Sequence, residues 1–113
     1  MTSAIPVGDS EEPCVRFRRS ELDALLRVYG RMVSAGEWRD YAIDFLRDRA
    51  VFSVFRRTSE SPLYQIEFKP ALARRQGAYC VQGSGGQILK RGHELASVLR
   101  VFDKASLRVI GAD

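Results

Sequence analysis

The stretch from Trp38 to Phe68, WRDYAIDFLRDRAVFSVFRRTSESPLYQIEF, holds the only Trp, two of the four Tyr and four of the six Phe, so the core must form around it. Tyr41, Ile43 and Phe45 alternate with Ala42 and Asp44, the period of a strand with one buried face. Trp38, Tyr41, Ala42, Phe45 and Leu46 also fit one helical face, but the aromatic and β-branched types favour strand. Arg47-Asp48-Arg49 then reads as a turn into a second strand, Val51 to Arg56. Thr58 to Pro62 is a polar turn, and Leu63 to Lys69 is a third strand with Tyr64, Ile66 and Phe68 on its buried face.

An amphipathic helix precedes this region. Ser20 is the expected N-cap, with Asp23 three residues on, and Leu22, Leu25, Leu26, Tyr29, Met32 and Val33 form the stripe. Gly36 is the expected stop, because glycine accepts the left-handed conformation that closes a helix. Gly30, inside the helix, is expected to mark close backbone packing. Before the helix, Cys14 to Arg18 alternates Val15 and Phe17 with Arg16 and Arg18, as a short strand would. Residues 1–13 carry Pro6, Gly8 and Pro13 among small and acidic residues and are expected to form a disordered tail, leaving 14–113 as a single domain.

After Pro70, residues 71–77 form a basic connector with room for one helical turn. Ala78 to Gln82 and Gln87 to Lys90 then form a hairpin around Gly83-Ser84-Gly85-Gly86. A second amphipathic helix follows Gly92, with Leu95, Val98, Leu99 and Phe102 on its stripe and Lys104 near its end; Leu107 to Ile110 is expected as a last short strand. ELDALLRVYG (21–30) and ELASVLRVFD (94–103) echo one another. In a chain of 113 residues this predicts two similar helices on one sheet, not a solenoid. The expected fold is α+β: a mainly antiparallel β-meander of about five strands with two amphipathic helices packed on one face, the other face polar and exposed.

The net charge is +4, and setting aside Asp9, Glu11 and Glu12 leaves 18 basic and 11 acidic residues from Cys14 onward, a balance of +7. Such an excess attracts nucleic acid, acidic proteins or anionic surfaces. Arg outnumbers Lys 15 to 3, which a GC-rich genome would also produce. No apolar run reaches the length of a membrane span, and the first dozen residues lack the basic start and apolar centre of a secretory signal, so the expected location is cytoplasmic. Cys14 and Cys80 lack CxxC spacing and the chain has one His, which fits reduced thiols and predicts no zinc site.

No catalytic arrangement is visible: no serine or cysteine has a His-based relay, and no cofactor motif is complete. The glycine loop at 83–86 lies between two strands, where a phosphate-cradling loop would lead into a helix. Asp40, Asp44 and Asp48 stand among Arg39, Arg47 and Arg49, an arrangement of surface ion pairs. The candidate anion or nucleic-acid contacts are the doublets Arg56-Arg57 and Arg74-Arg75 and the run Lys90-Arg91-Gly92-His93 where the second helix begins. Arg16, Arg18 and Arg19 form a further basic cluster.

The runs GEWRDYAIDFLRDRAVFSVFRR, SPLYQIEFKPALARRQGAY and ILKRGHELASVLRV resemble domain-of-unknown-function family 2794, small alphaproteobacterial proteins, over roughly residues 17 to 110. The resemblance implies a cytosolic bacterial protein and brings no activity, cofactor or catalytic residue with it. The leading expectation is therefore a non-enzymatic binding or regulatory module whose Arg-rich surface meets nucleic acid or another anionic partner. Two other readings stand beside it: a protein-interaction module or homodimer using the exposed sheet face or an edge strand, and a phosphate-metabolite protein with a pocket beside Lys90 and His93.

Overall fold

The computed structural model describes residues 13–57 and 61–111, with side chains through Asp103. In chain order these form α1 (Arg19–Ser34), β1 (Asp40–Phe45), β2 (Ala50–Phe55), β3 (Tyr64–Phe68), a 3₁₀ turn (Pro70–Leu72), β4 (Tyr79–Gly83), β5 (Ile88–Gly92) and α2 (Leu95–Gly111). The strands make one antiparallel meander in the order β1-β2-β3-β4-β5. The expected α+β class is the observed one.

Register follows from side-chain alternation. Phe45, Ala50, Phe68, Tyr79 and Gly92 form a row at one end of the sheet, and Tyr41, Val54, Tyr64 and Gly83 a row toward the other. Ile43, Phe52, Ile66 and Val81 lie between them on the same face. Both helices cover that face: Leu25, Val28 and Met32 of α1 and Leu95, Val98, Leu99 and Phe102 of α2 join the strand residues in one core. Burying each large apolar side chain contributes about 1.5–3 kcal/mol, which is what holds the two layers together.

Trp38 sits where the layers meet. It is 4% exposed, with the Phe102 ring edge-on at 4.9 Å and the Tyr64 ring at 6.1 Å. The aromatic-rich stretch thus closes on a residue from α2, which makes the first half of that helix part of the core.

The first helix is capped differently from the sequence expectation. It starts at Arg19, so Ser20 lies within the first turn, and Glu21 at the third position accepts the Arg18 backbone N–H at 2.7 Å. Its stop is as expected: Gly36 adopts φ +79°, and the Gly36 and Glu37 N–H groups donate to the carbonyls of Val33 and Met32 at 2.9 Å each, a Schellman closure. The buried stripe is Glu21, Leu25, Val28 and Met32. Leu26 and Val33 face solvent at 38% and 40% exposure, because phasing the helix to bury Glu21 turns them away. Gly30 is exposed with nothing within 4 Å of where a Cβ would be, so it marks no close packing.

Three further expectations change. Cys14 to Arg18 is extended but forms no strand; Val15 N–H donates to the Leu46 carbonyl at 2.8 Å, Phe17 enters the core and the Arg16 guanidinium lies over the Phe45 ring. Leu107 to Ile110 continues α2 instead of forming a strand, since a short apolar run has no periodicity that separates the two. The sheet face away from the helices is only partly exposed. It carries Asp44, Gln65, Glu67, Gln82 and Arg91, yet Val51, Ser53 and Cys80 on it are 4%, 3% and 1% exposed. These are small side chains on inner strands, flanked across the ladder by longer ones, and Gln65 donates to the Ser53 hydroxyl at 3.1 Å. Residues 1–12 and 58–60, which include most of the expected tail and part of the polar turn, lie outside the described residues.

No helix among the described residues is long and apolar enough to cross a membrane.

Candidate anion-binding site

In a meander, successive connections lie at alternate ends of the sheet, and this separates the candidate basic residues. Arg56 and Arg57 follow β2 at the Gly83 end, whereas Arg74 and Arg75, between β3 and β4, and Lys90 to His93 lie at the Gly92 end. They do not form a single patch.

At the Gly92 end a backbone contact joins a loop to a strand end. Gly77 has φ +104°, and a Cβ there would lie 2.3 Å from the Gly92 carbonyl oxygen, so the connector carrying Arg74 and Arg75 packs directly on the end of β5, which carries Lys90 and Arg91 and leads into His93. Only glycine allows this approach. Lys69 N–H donates to the Ala78 carbonyl at 2.7 Å and Gly77 N–H to Leu72 at 2.9 Å, so the connector is tied at both ends.

The side chains at this corner keep their charge available. Arg74, Arg75, Lys90 and His93 are exposed and Arg91 is half-buried, and none of these five forms an ion pair with a described residue. Lys90 and Arg91 are consecutive on an edge strand and leave opposite faces of the sheet, Lys90 level with Val81 and Arg91 level with Cys80. The corner therefore wraps the sheet edge. Nearby Arg49 and Lys69 behave differently: Arg49 meets Asp48 at 3.2 Å and Glu67 at 3.5 Å, and Lys69 meets Asp48 at 3.8 Å.

Two buried polar groups support the corner. The Tyr79 hydroxyl donates to the Glu21 carboxylate, and the Tyr79 ring stacks on Phe68 at 5.0 Å. Burial, then the hydrogen bond to Glu21 and its charge, push the Tyr79 pKa up to about 12, with Arg18 opposing. Burial also raises the Cys80 thiol above its ordinary range; the neighbouring Arg91 charge works against that rise. At neutral pH both groups stay protonated, and neither is a reactive nucleophile.

The Gly83 end holds a second basic group that sequence reading recovered only in part. Gly36, Glu37, Trp38, Arg39, Arg56 and Arg57 line a concavity of about 240 Å³. The sequence points to Arg39 as a surface ion-pair partner and not as an anion contact, although the meander itself places the residue before β1 beside the end of β2: Arg39 N–H donates to the Phe55 carbonyl at 2.8 Å. The Tyr29 hydroxyl donates to the Arg39 carbonyl at 2.5 Å, and burial raises the Tyr29 pKa, with Asp40 and Tyr41 adding to the rise. A pocket was expected beside Lys90 and His93, but this concavity lies at the opposite end of the sheet. Among the described residues no group of three or more His, Cys, Asp or Glu side chains is placed to hold a metal ion.

No curated protein and no solved structure matches the chain. A family model described as protein of unknown function (DUF2794) matches residues 15–99, which takes in α1, the whole sheet and the first turn of α2. That span includes both basic groups and the Gly77–Gly92 contact that assembles the corner, and the chain belongs to this family.

Proposed function

We propose that the protein is a non-enzymatic binding module that takes an anionic partner, nucleic acid first, at the corner formed by Arg74, Arg75, Lys90, Arg91 and His93. The observation that carries this reading is the packing of Gly77 on Gly92, which brings the basic connector and the basic end of β5 together. Four of their cations form no ion pair with a described residue, so a phosphate backbone meets charge that is not already neutralised. Guanidinium groups favour such contacts, because their planar fork matches phosphate oxygens. Stacking plays little part, since Tyr64 and Phe68 face the helices. The partner is held by its charge and backbone, and sequence preference is weak.

The test is fluorescence anisotropy with labelled single-stranded RNA, single-stranded DNA and duplex DNA at about 50 and 200 mM salt. Binding by the wild type that is lost in R74E/R75E/K90E/R91E and kept in R56E supports the reading. Absence of binding, or equal binding by the quadruple variant, refutes it. A cytosolic setting accords with this role and with Cys14 and Cys80 standing outside any disulfide.

One observation favours a second reading, association through an edge. Among the described residues β5 pairs only with β4, and Ile88 and Leu89 on it are 54% and 40% exposed. An apolar edge of that kind can accept another strand. A concentration-dependent mass in sedimentation, abolished by Ile88→Lys, is the result this reading predicts.

A further inference from the structure

We propose that the concavity between the α1–β1 turn and the end of β2 is a separate site for a small phosphate-bearing molecule, gripped by Arg39 and Arg56. Its walls are fixed before any ligand arrives. The Schellman closure holds Gly36 and Glu37, Trp38 N–H donates to the Met32 carbonyl at 3.3 Å, and Arg39 is pinned through its N–H to Phe55 and through its carbonyl by Tyr29. With those four backbone N–H groups already used, the charged donors the site offers a ligand are the side chains of Arg39 and Arg56.

Their charge is poorly compensated. Arg39 forms no ion pair with a described residue, and Arg56 Nη2 lies 3.8 Å from Glu37 Oε1, too long for a direct hydrogen bond. Arg39 and Arg56 both line the concavity, and guanidinium forks match the oxygens of a phosphate group, which accepts several charge-assisted bonds at once. The volume of about 240 Å³ is below the range of about 300–1,000 Å³ for drug-sized ligands, so the ligand is small.

Two neighbours refine the specificity. Trp38 lines the site but is 4% exposed, so its ring face is not open for a base to stack on, and the phosphate must supply the recognition. Glu37 is a carboxylate in the wall. It holds Arg56 loosely in the free protein and repels an incoming anion, which predicts that its neutralisation tightens binding.

Trp38 is the only tryptophan, so its fluorescence reports this site directly. The experiment titrates the full chain at constant ionic strength with inorganic phosphate, with a nucleoside 5′-monophosphate and with the unphosphorylated nucleoside. A saturable change with either phosphate compound and none with the nucleoside is expected. Equal affinity for the two phosphate compounds identifies phosphate itself as the ligand, and tighter binding of the monophosphate identifies a nucleotide. R39A/R56A should weaken binding roughly tenfold or more, as expected for lost charge-assisted bonds. Glu37→Gln should tighten it severalfold, which loss of structure would not do. R74E/R75E/K90E/R91E should leave the titration unchanged, so this site and the basic corner stand or fall separately. No saturable change in the wild type, undiminished affinity in R39A/R56A, or no tightening in Glu37→Gln would overturn the proposal.

Discussion

The Tyr79 hydroxyl on β4 donates to the carboxylate of Glu21 on α1, a side chain only 8% exposed, and so links the first helix to the sheet beneath the basic corner. Glu21 also accepts the Arg18 backbone N–H, so one carboxylate caps a helix and fixes where that helix sits. Tyr79→Phe removes the phenol donor and leaves a buried carboxylate oxygen without it, at an expected cost of about 1–3 kcal/mol in chemical denaturation.

The same pair predicts a pH dependence. The Tyr79 pKa is raised in the folded chain from 10.0 to about 12, so the unfolded chain loses this proton first. Its contribution to stability is fully present below pH 10 and declines as the pH rises from 10 toward 12. Denaturation midpoints across that range should fall more steeply in the wild type than in Tyr79→Phe. Equal slopes would show that the pair is not formed.

Three glycines should respond to alanine in three ways. Gly30→Ala places a better helix former on an exposed face with open space and should stabilise by up to about 1 kcal/mol. Gly86→Ala meets no atom but keeps a φ of +84°, so it should cost about 1–2 kcal/mol. Gly77→Ala adds a collision with Gly92 to its strain and should be the worst, at roughly 2 kcal/mol or more. Thermal unfolding of the three variants checks the order; a Gly77→Ala protein as stable as the wild type would mean that the basic connector is not packed on the end of β5.

The two thiols should separate kinetically. Cys80 is 1% exposed with a raised pKa, whereas Cys14 is half-buried. A thiol reagent near neutral pH should modify Cys14 in the native protein and Cys80 only on unfolding. Simultaneous rapid modification of both would contradict the buried position on β4.

Much of this architecture was legible in local pattern. Tyr41, Ile43 and Phe45 alternate as a strand must, and Leu95, Val98, Leu99 and Phe102 recur as a helix face must; the structure buries the helical set and packs Ile43 and Phe45 against the core, while Tyr41 on the same face stays 43% exposed. Long-range effects were not legible. Ser20 looked like the cap because local chemistry favours serine, but Glu21 is fixed from 58 residues away by Tyr79, and that bond sets the phase of α1 and exposes Leu26 and Val33. The separation of Arg56 from Arg74 was available in principle. Successive turns of a meander lie at alternate ends, so two doublets one strand apart cannot share a surface. The Gly77–Gly92 contact was not available, because nothing local distinguishes a turn glycine from one pressed against another backbone.

The most direct test of the central claim is the salt dependence of nucleic-acid affinity in the wild type and in R74E/R75E/K90E/R91E, measured by anisotropy between about 50 and 200 mM salt. If the corner holds the phosphate backbone, the wild type binds with a log–log slope near −0.7 per phosphate contact on single strands, and the variant loses both the affinity and the slope. A wild type that does not bind, or a variant with the same affinity and slope, would contradict the assignment of this corner.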